Sequence, residues 1–217
     1  MPEAMLAVAE VAQTDFSILK GKSTLSVDDY SAIGVGPGIG TDKSTALWLE
    51  SLFDLCKSPL VLDADALNII AERPTLLKKI PAQSILTPHP GEFKRLVGAW
   101  KNDLEKIQKQ LEFSANHDLV VVLKGANTSI STPNGKLYFN STGNPGMAKG
   151  GSGDVLTGVL TSILAQGYTS EQSAILAVYV HGLAGDIACR HLGEIAMNAE
   201  DIIHYLPQAF KVLASSK

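Results

Sequence analysis

Short apolar segments recur along the chain, and each one ends in glycine or polar residues. They span residues 32–35, 59–62, 84–86 and 119–123. Stretches with helical spacing of apolar residues separate them, an alternation that is typical of βα units around a mostly parallel sheet. With 217 residues and 45% hydrophobic content, the sequence predicts one α/β domain over residues 1–217.

The later part of the chain departs from this alternation. Residues 128–132 and 136–140 flank Pro133-Asn134-Gly135, which predicts a hairpin and antiparallel strands at one edge of the sheet. Beyond the hairpin, apolar residues at four-residue spacing predict helices. The first of these helices starts at Asp154, and the next two cover residues 173–190 and 199–213.

The run from Asn144 to Asp154, NPGMAKGGSGD, has the composition of an anion-binding loop. Small residues let the backbone approach a ligand, and the helix that follows directs the positive end of its dipole there. A Walker A loop is excluded because Ser152 stands where lysine is required, and the dinucleotide fingerprint fails because Leu156 replaces its third glycine. The alternative is a flexible glycine loop before a core helix.

Asp154 favours the functional interpretation of this loop. A carboxylate beside an anion site repels phosphate, so its placement is unfavourable unless it takes part in chemistry or helps to hold a metal. We therefore expect the loop to bind phosphate and Asp154 to be functional.

The polar motifs of the chain follow its predicted strands, and ligands of open α/β sheets bind beyond the carboxyl ends of the strands. The motifs are, in chain order, Gly36/Gly38/Gly40, Asp63/Asp65/Asn68, His89/Glu92, Lys124/Asn127 and Gly151/Asp154. If the strands are neighbours, these residues converge on one cleft.

Several of these residues also have structural explanations. Gly36-Pro37-Gly38 fits a tight turn as well as a substrate contact, and Thr41 is the predicted cap of the helix that follows it. We expect at least one of Asp63 and Asp65 to cap the next helix.

The cationic candidates leave similar alternatives. His89 lies between two prolines, which suits either a ligand contact or a hydrogen-bonded structural role. Lys124 ends a buried strand, where it either solvates the strand end or binds ATP or ADP, and we favour the nucleotide. His181 lies among Ala and Gly, so we expect it to pack within a helix.

Composition excludes several classes of protein. A net charge of −4 without a Lys/Arg cluster gives no support for a nucleic-acid or membrane-surface partner. Cys56 and Cys189 show neither a disulfide framework nor zinc-ligand spacing, which fits a reducing cytoplasm. We find neither a leader pattern nor a run of about 18 apolar residues, so we predict a cytoplasmic protein that acts on small molecules.

Taken together, the motifs resemble the ADP- or ATP-dependent NAD(P)H-hydrate dehydratases of the ribokinase-like superfamily. Five motifs occur in that family's order over nearly the whole chain. They are GPGIG (36–40), DADALN (63–68), TPHPGE (87–92), KGANT (124–128) and NPGMA (144–148) continuing to Asp154. The resemblance implies a ribokinase-like three-layer α/β/α fold, with a mostly parallel central sheet and helices on both faces.

The resemblance also implies an activity, the repair of NADH or NADPH that has been hydrated at C6. Members of the family are understood to transfer phosphate from ADP or ATP to the C6 hydroxyl and then release it. Asp154 would be the general base, and Gly151, Ser152 and Gly153 would stabilise the transferring phosphoryl group. Mg²⁺ would neutralise the nucleotide phosphates.

Further site residues are implied by the same resemblance. The adenine nucleotide would contact Lys124, Gly125, Ala126, Asn127, Thr128 and Gly153, with Asn144 ordering the loop. The hydrate would contact Gly36 or Gly38, His89 and Asp154. The expected partners are NADHX or NADPHX and the nucleotide, in a homo-oligomer such as a tetramer.

Domains of the family normally begin with further βα units, whereas this chain opens at Met1-Pro2-Glu3. We therefore expect an N-terminally shortened domain that lacks part of the substrate wall. A ribokinase-like kinase acting on a small alcohol, such as a vitamin precursor, and a non-catalytic nucleotide-binding protein are the alternative functions.

Overall fold

One sheet organises the part of the chain that the computed structural model describes, residues 27–215. Within those residues its strands are β1 (Ile33–Val35), β2 (Leu60–Leu62), β3 (Ile85–Leu86), β4 (Val120–Leu123), β5 (Ser129–Ser131) and β6 (Leu137–Phe139). They lie in chain order, with β1 to β4 parallel and β5 and β6 antiparallel at one edge. The mostly parallel sheet and the edge hairpin predicted from the sequence are confirmed. The expectations about a leader and a shortened start concern residues outside the described part.

Helices cover both faces of this sheet, which confirms the predicted three-layer α/β/α architecture. The described helices are α1 (Lys43–Leu55), α2 (Ala64–Glu72), α3 (Pro90–Val97), α4 (Asp103–His117), α5 (Ser152–Ala165), α6 (Ser170–Ala196) and α7 (Ala199–Ser215). Helices α1 to α4 pack on one face. Helices α5 and α6 pack on the other, and α7 packs against them.

Strand β2 shows why the predicted strands are apolar without alternation. Leu60 and Leu62 belong to the core under α1 to α4, whereas Val61 belongs to the core under α5 and α6. All three side chains are fully buried. A parallel strand covered by helices on both faces has no polar face, so it reads as a continuous apolar run.

Helix α1 begins one residue later than the sequence suggested. Asp42, not Thr41, is its cap, since the Asp42 carboxylate accepts the amides of Ser44 at 2.8 Å and Thr45 at 3.0 Å. Thr41 lies one position too early to bond those amides, and an ionised carboxylate is also the stronger acceptor. Hydrogen bonds, chiefly from the Ser44 side chain and the Thr45 amide, lower the pKa of Asp42 to about 2.

Helix α2 is capped by one of the two predicted aspartates. Asp63 accepts the Ala64 amide at 2.8 Å, which confirms the expected capping role. Asp65, in the first turn of α2, accepts the Gly40 amide at 2.9 Å instead, so it links the helix to the turn after β1.

The turn after β1 needs glycine at one position in particular. Gly36 has φ +137°, and a β-carbon there would lie 1.8 Å from the carbonyl oxygen of Asp63. Gly38 also has positive φ, at +69°, but the space around it is open. The tight-turn explanation therefore holds for Gly36, where backbone packs directly against the end of β2.

Helix α6 is long and apolar enough to cross a membrane by length and composition alone, with a mean hydropathy of 1.2 over its best 18-residue window. Much of that window, 61%, is buried inside the structure. The core helix of a globular protein has the same properties, and here α5, α7 and the sheet cover α6.

His181 joins α6 to α5. Its Nε2 lies 3.0 Å from the carbonyl oxygen of Ser152, and the side chain is buried. This confirms the predicted packing role. Burial, helped by the charge of Lys124, lowers the pKa of His181 to about 4, although the bond to Ser152 works in the opposite direction.

Replacement of Gly36 by alanine should destabilise the fold much more than the same change at Gly38. Gly36→Ala forces a side chain against the Asp63 carbonyl at positive φ, and we expect a loss of about 3 kcal/mol in the free energy of unfolding. Gly38→Ala has space for its side chain, so its free energy of unfolding should fall by only about 1 kcal/mol, the cost of a left-handed backbone conformation. Urea denaturation of both variants measures the difference, and equal losses would contradict the packing described.

Burial of neutral His181 should make the protein sensitive to acid. The unfolded chain takes up a proton near pH 6.5 and the folded chain only near pH 4, so the free energy of unfolding falls as the pH drops between these values. The slope from this residue is up to about 1.4 kcal/mol per pH unit. His181→Gln keeps a donor for Ser152 but does not titrate. Denaturation from pH 7.5 to 4.5 should show a shallower decline for the variant, and identical slopes would refute the assignment.

Candidate functional site

A cavity of about 810 Å³ lies beyond the carboxyl ends of β3 and β4. Its walls come from the segment after β3, the β4–β5 turn, the loop between β6 and α5, and helices α5 and α6. It brings together many of the predicted site residues. These are His89, Lys124, Gly125, Ala126, Thr128, Asn144, Ser152 and Gly153.

The other predicted site residues do not line this cavity. They are Gly36, Gly38, Asn127, Gly151 and Asp154. The first two follow β1, which β2 separates from β3 in the sheet. Asn127 is exposed in the β4–β5 turn, and Gly151 and Asp154 are exposed where α5 begins. The convergence expected from the sequence is thus observed for the motifs after β3, after β4 and before α5. The roles of all the site residues stay predictions.

A buried ion pair fixes Lys124 at the cavity wall. Its Nζ donates to Oδ1 of Asp63 at 2.7 Å, and Asp63 is 1% exposed. The other carboxylate oxygen of Asp63 accepts the hydroxyl of Thr157 on α5 at 2.8 Å. Lys124 is therefore not a loosely solvated cation at a strand end, because its ammonium group is held beside α5.

The start of α5 presents backbone to the cavity. Gly151 occupies the cap position with φ +89°, and no side chain caps the helix there. Amides in the first turn of a helix without a side-chain cap attract anions, since they carry the positive end of the helix dipole and have no acceptor within the helix. The Ser152 amide makes a long bond of 3.4 Å to the Lys149 carbonyl oxygen. The Ser152 hydroxyl is buried and has no hydrogen-bond partner within the described residues, so a ligand oxygen could satisfy it.

Gly153 brings this helix start close to Lys124. A β-carbon at Gly153 would lie 3.4 Å from Nζ of Lys124 and 3.7 Å from Oδ2 of Asp63. The absence of a side chain therefore leaves the ammonium group and the first turn of α5 next to each other. A phosphate placed there would meet a cation and helix amides together.

His89 has the hydrogen-bonded structural role that its sequence context suggested, and its contact with a ligand stays a prediction. Its Nδ1 accepts the amides of Gly91 at 2.9 Å and Glu92 at 3.2 Å, so it caps α3, and Glu92 returns a bond to the His89 amide. The opposite ring nitrogen, Nε2, lies 3.4 Å from the Glu92 carboxylate, and 51% of the side chain is exposed. A capped helix thus fixes the imidazole while its outer edge faces the cavity.

The β4–β5 turn closes on itself. The Thr128 hydroxyl lies 3.3 Å from the Gly125 amide and 3.2 Å from the Gly125 carbonyl oxygen, which ties the two ends of the turn together. Gly125 and Ala126 are exposed between them and line the cavity. The turn therefore offers a backbone surface beside Lys124.

Sequence reasoning missed the wall that α6 contributes. Val178, His181 and Gly182 line the cavity, and Asn140 and Thr142 approach it from the end of β6. His181 was expected to pack, which it does, but its position also places it at the site. Its local sequence carries no sign of this, because the partner Ser152 is 29 residues earlier.

Comparison with known proteins places these features in a family. The family model of NAD(P)H-hydrate dehydratase matches residues 3–208. The bifunctional NAD(P)H-hydrate repair enzyme Nnr of Moorella thermoacetica is 40% identical over 187 residues, which are 85% of this chain and 35% of that protein. The chain thus spans about a third of that relative.

Two solved structures share the fold. The ADP/ATP-dependent NAD(P)H-hydrate dehydratase from Bacillus subtilis, co-crystallized with ATP/Mg²⁺ and soaked with CoA, is 31% identical with a TM-score of 0.73. The alignment covers 84% of this chain and 66% of that one. A ribokinase-like superfamily protein from Enterococcus faecalis is 28% identical with a TM-score of 0.69, over 84% and 63% of the two chains.

The fold expected from the resemblance, a ribokinase-like α/β/α sandwich, is therefore confirmed. The family match extends over nearly all of the chain. Lys124 and the uncapped start of α5 belong to two of the five motifs that resemble this family. This chain belongs to the NAD(P)H-hydrate dehydratase family.

Proposed function

We propose that this chain catalyses the nucleotide-dependent dehydration of hydrated NADH and NADPH. The observation that carries the proposal is the uncapped start of α5, with Lys124 held beside Gly153 at the cavity wall. Such a site suits the phosphates of ADP or ATP. Relatives named for NAD(P)H-hydrate repair, and a Bacillus subtilis relative named as ADP/ATP-dependent, support the same substrates.

Phosphoryl transfer makes the hydroxyl group a better leaving group. The oxygen at C6 of the hydrate attacks the terminal phosphorus of the nucleotide, and the hydroxyl proton passes to a base. The bond from that phosphorus to the bridging oxygen breaks, which releases AMP from ADP or ADP from ATP. The C6–O bond then breaks, and inorganic phosphate leaves with the bonding electron pair. A proton passes from C5 to solvent, which forms the C5=C6 double bond and restores the dihydronicotinamide. Each step conserves atoms and charge without an oxidant or reductant.

The chain's own residues divide these tasks. Lys124, the amide of Gly153 and the buried hydroxyl of Ser152 balance the negative charge on the phosphoryl group. Asp154, one residue after Gly153 in the first turn of α5, takes the hydroxyl proton. The fixed imidazole of His89, with its exposed edge, orients the hydrate.

Mg²⁺ would enter with the nucleotide. Within residues 27–215 no group of three or more His, Cys, Asp or Glu side chains is arranged to hold a metal ion. Mg²⁺ is commonly bound by one or two carboxylates together with substrate phosphates, so the phosphates would supply most of its ligands here. The metal would neutralise phosphate charge, and the roles assigned to Lys124, Asp154 and His89 do not depend on it.

Recovery of NADH from its hydrate tests the activity directly. With NADHX, Mg²⁺ and ADP or ATP, absorbance at 340 nm should rise, and it should not rise when the nucleotide is omitted. Phosphorylation of a thiazole or pyridoxal alcohol without this recovery would instead identify a vitamin-precursor kinase. Nucleotide binding with neither product would identify a non-catalytic binding protein, and either result would overturn the proposal.

Asp154→Asn should separate catalysis from binding. The variant keeps Lys124 and the helix start of α5 but lacks the base, so we expect turnover to fall by at least about 100-fold while the Kd for ADP stays within about tenfold. Asp103→Asn, an exposed residue of α4 that pairs with Lys106, is the matched control and should behave as the wild type. Unchanged turnover in the Asp154 variant would remove Asp154 from the mechanism.

A further inference from the structure

The segment from Thr142 to Lys149, here the cradle loop, lies along one side of α6. Thr142 donates to the Tyr179 carbonyl oxygen at 2.9 Å, near the start of the contact. At the other end, the Lys149 ammonium group donates to backbone carbonyls that follow Gly193, those of Glu194 at 3.2 Å, Ile195 at 2.6 Å and Met197. The loop is therefore attached at one end to the middle of α6 and at the other to the backbone just beyond the kink of α6 at Gly193.

Two glycines of α6 allow the loop to lie this close. A β-carbon at Gly182 would lie 2.2 Å from the Thr142 hydroxyl oxygen, and one at Gly185 would lie 2.3 Å from the Met147 sulfur. Residues 182 and 185 are one turn apart on the same face of the helix. The face of α6 is thus shaped to receive the loop backbone and the Met147 side chain.

Asp186 makes the polar contact in the middle of this face. One carboxylate oxygen accepts the Gly143 amide at 2.9 Å, and the other accepts Nδ2 of Asn144 at 3.0 Å. The side-chain oxygen of Asn144 in turn accepts the Gly146 amide at 3.0 Å and caps the short 3-10 helix Pro145–Met147. Asp186 therefore fixes both the backbone and the side chain at the start of the loop.

We propose that Asp186 is a positioning residue for nucleotide binding, acting through Asn144. It does not line the cavity, whereas Gly143, Asn144 and most of the cradle loop do. The proposal rests on the nucleotide site described under Proposed function. The Asp186 carboxylate on α6 orders the cradle loop before any ligand binds, so the wall of the site has a fixed shape. Less conformational entropy is then lost when the nucleotide binds.

Asp186→Asn tests this with little change in volume. An amide at position 186 can still accept the Gly143 amide, but its NH₂ group then faces the NH₂ group of Asn144, and two donors cannot pair. Without nucleotide, we expect amide hydrogen exchange across residues 143–149 to accelerate at least about tenfold. The Kd and KM for ADP should rise about tenfold, while kcat at saturating ADP changes less than about threefold.

A swapped pair separates positioning from general damage. In the double variant Asn144→Asp/Asp186→Asn, the amide and the carboxylate trade places, and the carboxylate at position 144 can still accept the Gly146 amide. Slow exchange of residues 143–149 should return. ADP affinity is not the measure for this variant, since the relocated charge faces the phosphate site. Asp103→Asn is the charge-matched control and should leave exchange and ADP binding unchanged.

Three results would overturn the proposal. The first is that Asp186→Asn keeps wild-type exchange and wild-type ADP affinity. The second is that its kcat falls with no rise in the Kd for ADP. The third is that the swapped pair does not restore slow exchange although its circular dichroism is native. Different results would contradict the proposed function. They are that the wild-type protein binds ADP but does not recover NADH, or that it does not bind ADP. The exchange measurement needs no nucleotide, so it still shows whether Asp186 orders the loop.

Discussion

The buried carboxylate of Asp63 is the interaction on which the rest of the structure depends. Its oxygens accept the Ala64 amide, the Lys124 ammonium group and the Thr157 hydroxyl, at 2.7 to 2.8 Å. These partners belong to the start of α2, the end of β4 and helix α5, so one side chain joins both helical layers to the sheet. Because a carboxylate is stable in the interior only with such partners, loss of the Lys124 ammonium group would leave an uncompensated buried charge.

The same carboxylate organises the cavity. It holds Lys124 beside Gly153, while the backbone of Asp63 packs against Gly36 at the end of β1. Buried His181 lines the same cavity, and it stays uncharged at neutral pH because its pKa is about 4. The groups that can attract an anion at the start of α5 are therefore Lys124 and the helix amides, since the neighbouring imidazole carries no charge at neutral pH.

Much of the fold could be predicted from local sequence patterns. The strands could be predicted because each is a short apolar run that ends at glycine or polar residues, and the hairpin because Pro133-Asn134-Gly135 lies between two such runs. The cap of α1 was misplaced by one residue, since Thr41 and Asp42 are both good caps and only the backbone register decides between them. Contacts with α6 could not be predicted. The roles of Gly182, Gly185 and Asp186 depend on a loop about 40 residues earlier, and a small-residue stretch does not reveal its partner.

The central claim is that the phosphates of an adenine nucleotide bind where α5 begins, beside Lys124. Titration of ¹⁵N-labelled protein with ADP, followed by amide chemical shifts, tests it without turnover. The account predicts the largest shifts at Gly125, Gly151, Ser152 and Gly153, around the lysine and the uncapped turn. Largest shifts on α7 or on the outer face of α1 to α4, or no saturable shift at any amide, would contradict it.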